Sequence, residues 1–157
     1  MPDGEVTPAG GPVTGLILQS GAVDRVHYGL AMAAAALALS TPVVLFFTNA
    51  ALLSLRAAGP DGRPGWADAP LGADLIAAGI ATDAAGYDAG LTSRGAAGIE
   101  DLIEAVSELG GRFMICEMGL RAIGLDRTAL RTDIGFEEGG LVTLYRILGP
   151  DGRLVVI

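Results

Sequence analysis

The chain has 157 residues, which is enough for one domain with a proper core and short for two. Hydrophobic residues make up 51% and charged residues 18%, so the composition excludes disorder over most of the length. The formal net charge is -8 and no lysine occurs, which excludes a nucleic-acid partner because phosphate binding needs clustered Lys and Arg. The mean hydropathy of +0.50 indicates either a membrane segment or extensive burial in the core and between subunits.

The start of the chain and its single cysteine bear on the cellular compartment. Residues 1–12 are rich in Gly and Pro and acidic, without the basic and apolar regions of a secretory signal. We expect a flexible leader there and one domain over residues 13–157. One cysteine cannot form an intrachain disulfide, so the plain expectation is a reducing, cytoplasmic location.

Residues 30–55 contain the most apolar part of the chain. A membrane-spanning helix needs about 20 consecutive apolar residues. Here Ser40-Thr41-Pro42 interrupts the apolar run, and a proline disfavours helix at the residue before it. The pattern predicts a helix, a turn and a buried strand, and no membrane span.

The first half of the chain, taken in order, predicts strand, helix, strand. Residues 12–18 are typical of a buried strand, and residues 43–47 of a second one. Between them, apolar residues spaced by three and four predict a helix over 23–39, with Asp24 in its first turn. Residues 56–95 are rich in turn-forming residues and predict a loop insertion with a short helix near 71–80 and loop again over 86–95. Such a long connection is either a lid or oligomer contact, anchored by Trp66 and Tyr87, or a disordered insertion without consequence.

The second half continues the alternation. A helical stripe with a glycine stop predicts a helix over 96–109, and a buried strand over 112–116 follows. Asp126 is placed to cap a short helix through Leu130, and residues 134–136 predict a brief strand. Residues 141–157 fit a hairpin or a helix with a final parallel strand, and the upstream alternation favours the second. The fold class is therefore α/β, with a parallel sheet between helices.

Common cofactor and metal motifs are missing from the sequence. No glycine-rich dinucleotide fingerprint and no P-loop occurs, so we expect no cofactor. His27 is the only histidine, which makes a metal site improbable, and we expect none. A cysteine-protease pairing of His27 with Cys116 is conceivable, but a lone histidine is more often structural, and such pairs are recognised by geometry.

Cys116 is the residue whose position suggests chemistry. A free cysteine in an apolar strand is usually an inert small hydrophobe. This one ends a strand, at the edge where sites cluster in open parallel sheets, and a helix start follows it. The unpaired amides of a helix start favour a thiolate, and Arg121 adds positive charge, whereas Glu117 opposes it.

Several short pieces of sequence form a recognisable set, namely Ser20-Gly21, Val44-Leu45-Phe46-Phe47-Thr48, Cys116-Glu117-Met118, Ile123-Gly124-Leu125 and Gly139-Gly140. Together they resemble the DsrE/DsrF-like sulfur-relay family, in its larger branch labelled peroxiredoxin-like. The likeness covers most of the chain outside the leader and the 56–95 insertion. Two stretches near Cys116 depart from the family pattern, namely Asn49-Ala50-Ala51 and Gly119-Leu120-Arg121.

The resemblance implies a fold and a function. The expected fold is a three-layer α/β/α sandwich with a five-stranded parallel sheet, flavodoxin-like, in trimers or hexamers. The cysteine matching Cys116 is expected to carry sulfur as a persulfide between donor and acceptor proteins, such as rhodanese-like or TusA-like carriers. The expected anion-stabilising or pocket residues are Met118, Gly119, Leu120, Arg121, Ser20 and Asn49.

Two other functions stay open at this point. The chain could be a non-catalytic, oligomeric assembly module in which Cys116 is part of the core. It could also be a thiol peroxidase, which the family label alone suggests. A peroxidase needs a resolving thiol, and with one cysteine in the chain that thiol must come from elsewhere.

Overall fold

The computed structural model describes residues 11–157, and most of the expected leader, residues 1–12, lies outside the described residues. Five strands form one all-parallel sheet in the order β4-β3-β2-β1-β5. Their bounds are β1 Thr14–Leu18, β2 Val43–Phe47, β3 Arg112–Cys116, β4 Phe136–Gly139 and β5 Arg153–Val156. The predicted fold class, a flavodoxin-like three-layer α/β/α sandwich, is confirmed.

Six α-helices connect the strands. They are α1 Val23–Ala38, α2 Ala73–Ala77, α3 Ala84–Ser93, α4 Ile99–Glu108, α5 Glu117–Ile123 and α6 Leu141–Leu148. Short 3₁₀ segments cover Asn49–Leu55, Gly65–Asp68 and Arg127–Ala129. The predicted cap at Asp126 is confirmed, since its carboxylate accepts a hydrogen bond from the Thr128 amide at 2.8 Å.

The strand order explains why the two faces of the sheet are covered unequally. The chain steps in one direction from β1 to β4 and then returns to place β5 on the other side of β1. Crossovers between parallel strands are right-handed, so the helices of the first three crossovers pack on one face and α6 packs on the other. Alternate residues of the three inner strands, β1, β2 and β3, accordingly belong to two separate cores. The larger core includes α1 and α4, whereas the smaller one has only Leu144 and Leu148 from α6 above the strands.

The central strand β2 shows the sequence signature of this architecture. All five of its residues are buried, because helices cover both of its sides. Strand β4 lies at the edge of the sheet, and its charged residues Glu137 and Glu138 are exposed. Each pairs with an arginine, Glu137 with Arg112 at 2.7 Å and Glu138 with Arg127 at 2.7 Å. The strand expected over 134–136 starts later, at Phe136, and Ile134 is a buried residue that precedes the strand.

The interpretation of residues 56–95 as a loop insertion is wrong in part. The short helix expected near 71–80 is present as α2, but residues 86–95, expected to be loop, belong mostly to α3. The Asp83 side chain accepts a hydrogen bond from the Gly86 amide at 2.8 Å and so caps the start of α3. This cap and packing against the rest of the larger core outweigh the low helix propensity of the glycines in α3.

Residues 141–157 form a helix and a parallel strand, as the upstream alternation predicted, and not a hairpin. The apolar stretch over residues 30–55 also divides as predicted, with α1 ending at Ala38 and β2 starting at Val43. Within residues 11–157, none of the helices is both long enough and apolar enough to cross a membrane.

Candidate functional site

Cys116 is the last residue of β3 and caps the start of α5. Its backbone is extended, with φ -84° and ψ 114°, so the chain turns into the helix immediately after it. The backbone N–H of Gly119 donates a hydrogen bond to Cys116 Sγ at 3.4 Å. The sequence-based prediction of a helix start directly after the thiol is therefore confirmed.

Gly119 is required where α5 approaches the end of β2. A Cβ atom at this position would lie 2.6 Å from Thr48 Oγ1 and 2.7 Å from the backbone nitrogen of Asn49. Asn49 itself has φ +50°, a left-handed conformation that Asn tolerates better than most residues. The end of β2 and the first turn of α5 are thus packed backbone to backbone, which fixes the Gly119 amide beneath the sulfur.

The thiol is covered in the isolated chain. Cys116 is only 1% exposed and belongs to the smaller core, with Leu144 of α6 among its members. Its register partner on β4 is Gly139, and the adjacent Gly140 caps α6. Among residues 11–157, the buried helix side chains of this smaller core, Leu144 and Leu148, come from α6.

The residues of α5 that were predicted to lie near Cys116 differ in whether they contact its sulfur. Gly119 contacts the sulfur through its amide, as described above. Met118 is 67% exposed and faces solvent, whereas Leu120 is buried in the larger core on the other side of the sheet. Arg121 is exposed, and its side chain forms no ion pair or hydrogen bond with residues 11–157, so no contact in the structure supports its predicted role in stabilising an anion.

Ser20 and Asn49 follow β1 and β2 and lie at the same sheet edge as Cys116. Asn49 is adjacent to the first turn of α5, through its contact with Gly119. Ser20 lies two strands from β3, roughly 10 Å away at ordinary strand spacing. Its hydroxyl accepts a hydrogen bond from the Ala22 amide at 3.2 Å, which helps to start α1.

His27 is not placed to act as a base for Cys116. Its Nε2 donates a hydrogen bond to the Ala97 carbonyl at 2.9 Å, and its ring packs edge-on against Tyr87. Both contacts lie on the α1 side of the sheet, opposite the face that contains the thiol. His27 therefore joins α1 to α3 and to the chain just before α4, and the conceivable protease pairing does not form. No group of three His, Cys, Asp or Glu side chains that could hold a metal ion exists within residues 11–157.

Two residues of the Cys116 environment carry little signal in the sequence. Thr48 and Gly139 appear only as parts of the family resemblance, yet Thr48 packs against the first turn of α5 and Gly139 is the neighbour of Cys116 across the sheet. Both follow from register, which no pattern in the strands specifies. Residues at the end of a strand, such as Thr48 and Gly139, become informative only once the neighbouring strand is known.

Within residues 11–157, the network with the most ion pairs and side-chain hydrogen bonds lies on the face of the sheet opposite Cys116. Arg131 donates to Glu100 at 2.9 and 2.8 Å and to Asp133 at 2.7 and 2.6 Å, and the indole N–H of Trp66 donates to Glu100 at 2.8 Å. The hydrogen bonds from Arg131 lower the pKa of Glu100 below its ordinary value, the Trp66 indole lowers it further, and burial opposes both. The same guanidinium lowers the pKa of Asp133. Trp66 is thus an anchor of the long connection, as the sequence suggested.

The fold and the site define a class of protein, namely a three-layer α/β/α domain with a lone cysteine at the carboxyl edge of its parallel sheet. No model of a known protein family matches the sequence, and no curated protein does. Among solved structures, the crystal structure of the YchN protein from E. coli is similar, with a TM-score of 0.54 and 16% identity over 92% of this chain and 98% of that one. At this identity the similarity shows a shared fold, which agrees with the α/β fold that the resemblance in the sequence implies.

Proposed function

We propose that the protein is a sulfur carrier that holds sulfur as a persulfide on Cys116 and passes it to an acceptor thiol. The Cys116 thiolate attacks the outer sulfur of a donor persulfide, and the S–S bond of the donor breaks as the new one forms. The donor leaves as a thiolate, and Cys116 becomes Cys-S-SH. Attack by an acceptor thiolate on the outer sulfur then regenerates Cys116, so neither step consumes an oxidant or a reductant.

The observation that carries this proposal is the hydrogen bond from the Gly119 amide to Cys116 Sγ at 3.4 Å. A backbone N–H at a helix start stabilises an anionic sulfur more than a neutral one. The cysteine also lies at the carboxyl edge of a parallel sheet, where sites of this architecture cluster. The DsrE-like fold is consistent with the same chemistry.

The burial of the thiol requires an opening step. Gly139 and Gly140 precede α6, and α6 buries only Leu144 and Leu148 against the sheet. A short helix with two buried side chains is held weakly, so its first turns open at a lower free energy than the rest of the fold. Sulfur donors and acceptors would reach Cys116 in this open state.

The partners follow from the chemistry. Donor and acceptor are proteins that present a persulfide or a thiol, of the rhodanese-like or TusA-like kind that the family resemblance implies, and the compartment is the reducing cytoplasm. We also propose a homo-oligomer. Strand β5 is an edge strand in which Leu154, Val155 and Val156 are exposed, and such apolar edges are usually covered by a partner.

One observation favours a different function. Cys116 is as deeply buried as the large core side chains, which is what a non-catalytic assembly module with a structural cysteine would show. That alternative predicts no sulfur loading, and it predicts that Cys116→Ala costs stability without any other effect.

Persulfide loading separates the two functions. The protein is treated with a small-molecule persulfide and its intact mass is measured, together with that of the Cys116→Ser variant. The sulfur carrier gains one sulfur, about 32 Da, loses it on addition of an acceptor thiol, and the serine variant gains nothing. An unchanged mass in the native protein, with loading only after unfolding, would contradict the carrier and support the assembly module.

A further inference from the structure

An open pocket of about 420 Å³ lies beside the long connection, away from Cys116 and its core. Four charged side chains line it, those of Arg56, Glu100, Arg131 and Asp133, and Gly62, Gly65 and Thr132 are also part of its lining. We propose that this pocket binds a small zwitterion, a molecule that carries both a carboxylate and a cationic nitrogen. The inference is independent of the sulfur chemistry.

Arg56 supplies the group for the carboxylate. Its Nε donates to the Leu53 carbonyl at 3.1 Å and its Nη2 donates to the Gly65 carbonyl at 3.3 Å. No carboxylate within residues 11–157 forms a salt bridge with it. A guanidinium has five N–H donors in a rigid fork, so three donors of Arg56 remain without a hydrogen-bond partner within residues 11–157 and match the geometry of a planar carboxylate.

Two acidic residues of the same lining, Glu100 and Asp133, supply the group for the cation. Glu100 and Asp133 share the single guanidinium of Arg131, so this triad carries an excess of one negative charge. The Asp133 side chain is 62% exposed, and each of its oxygens accepts one hydrogen bond from Arg131. A carboxylate oxygen accepts about two hydrogen bonds, so acceptor capacity remains on both oxygens of Asp133.

The balance of charge selects the ligand class. The pocket presents one positive charge without a carboxylate partner and one negative charge in excess. A dianion such as phosphate would bind Arg56 but would be repelled by Glu100 and Asp133. A neutral molecule would leave both groups unused. A zwitterion satisfies both, and the pocket has room for a ligand the size of an amino acid.

The test is a titration of the whole protein followed by backbone amide NMR. The probes are glycine, β-alanine and 4-aminobutyrate, which carry both groups at increasing spacing, with acetate and methylammonium as probes that carry one. We expect at least one zwitterion to shift the amides of Gly62, Gly65 and Thr132 saturably, with an affinity about tenfold above that of acetate. Equal binding of acetate and all three zwitterions, or no saturable shift with any probe, would overturn the proposal.

Variants of Arg56 and Asp133 test which group of the pocket binds each end of the zwitterion. Arg56→Gln removes the free fork and is expected to abolish the shifts, whereas Arg63→Gln changes an arginine of the same loop that pairs with Asp68 outside this pocket and leaves them intact. Because Arg56 also holds the loop through Gly65, Asp133→Asn serves as a second variant. It is expected to reduce the advantage of the zwitterion over acetate by about tenfold while acetate binding persists. An unchanged ratio in Asp133→Asn, or zwitterion binding that survives Arg56→Gln, would contradict the assignment.

Discussion

Gly119 is the residue on which the geometry around the thiol depends. Its missing side chain lets the first turn of α5 lie against Thr48 and the backbone of Asn49. The same approach places the Gly119 amide 3.4 Å from Cys116 Sγ. A glycine that looks like a departure from the family pattern therefore has a physical role in this chain.

Gly119→Ala should disturb both stability and sulfur chemistry. The added methyl would meet Asn49 N at 2.7 Å, and backbone cannot move aside cheaply. We expect a loss of about 1–3 kcal/mol in the free energy of unfolding, measured by urea denaturation. We also expect slower persulfide loading, because α5 must shift away from the sulfur.

The matched control for this prediction is Gly135→Ala. No atom lies within 4 Å of a Cβ placed at Gly135, so this variant should be close to wild type in both measurements. If Gly119→Ala were as stable and as reactive as Gly135→Ala, the close packing of α5 on β2 would not control the thiol.

At the scale of single residues, the sequence predicts the position of the Cys116 thiol and the helix start that follows it, but it does not predict which residues bury the thiol. An apolar strand followed by helix-compatible residues is enough to place Cys116 at a strand end and a helix N-terminus. Cys116 is buried in the smaller core, which is completed by Leu144 and Leu148 of α6, and these residues are distant from Cys116 in the sequence. The exposure of Arg121 depends on the phase of a seven-residue helix, which its sequence alone leaves undefined.

The long connection is tied to the rest of the fold by one network. Trp66 is buried and donates to Glu100 on α4, and Arg131, located just before β4, binds the same carboxylate. Three segments distant in the sequence therefore meet at Glu100. The lowered pKa of Glu100 means that folding favours its ionised form.

Glu100→Gln should weaken the fold mainly at neutral pH. The stability that comes from a carboxylate with a lowered pKa is present above its unfolded-state pKa and is lost as the pH falls through the lower folded-state value. We expect the variant to lose about 1–2 kcal/mol at pH 7, with a smaller deficit below about pH 4. Urea unfolding across this pH range measures both effects.

Glu104→Gln is the control, since Glu104 is an exposed carboxylate one turn further along α4. Its removal should leave the free energy of unfolding nearly unchanged at either pH. A deficit in Glu100→Gln that does not shrink on acidification would show that the ionised carboxylate is not the source of the stability.

At the level of elements, strands and long helices are predictable and the 56–95 segment is only partly so. Strand β2 is predictable from its continuous apolar sequence, and helix α4 is predictable from its helical stripe of apolar residues. Helix α3 does not, because Gly86, Gly90 and small residues give it no apolar face of its own. It forms because Asp83 caps it, which is a local contact, and because Ala84 is buried in the larger core, which depends on the tertiary structure.

The whole molecule is asymmetric about its sheet. In the part of the chain that the structure describes, residues 11–157, five helices lie with the larger core or along its connections, and α6 covers the second face. Part of the apolar content that raises the mean hydropathy is therefore exposed near β5, at the free edge of the sheet. This arrangement favours a partner at that edge, in agreement with the homo-oligomer proposed above.

Val156→Glu tests the proposed assembly. Val156 is 60% exposed, so a charge there costs little in the isolated chain but is unfavourable in an apolar interface. We expect sedimentation velocity to give the mass of three or six chains for the wild type and of one chain for the variant. Leu39→Glu, at an 82% exposed residue beyond the end of α1, should keep the wild-type mass. A monomeric wild type would contradict the proposal.

The account depends on native access to a sulfur that is 1% exposed. If α6 opens locally, a small alkylating reagent modifies Cys116 faster than global unfolding allows, and the rate depends weakly on urea because little surface is exposed. Leu144→Ala removes packing over the thiol and should raise the rate further, whereas Val142→Ala, at a 71% exposed position of α6, should not.

The rate of native alkylation of Cys116 as a function of urea is therefore the most direct test. The sulfur-carrier account predicts modification in the absence of urea with a shallow urea dependence, accelerated in Leu144→Ala. Modification that occurs only at the rate of global unfolding, with its full urea dependence, would contradict the account and leave Cys116 as a structural residue of the core.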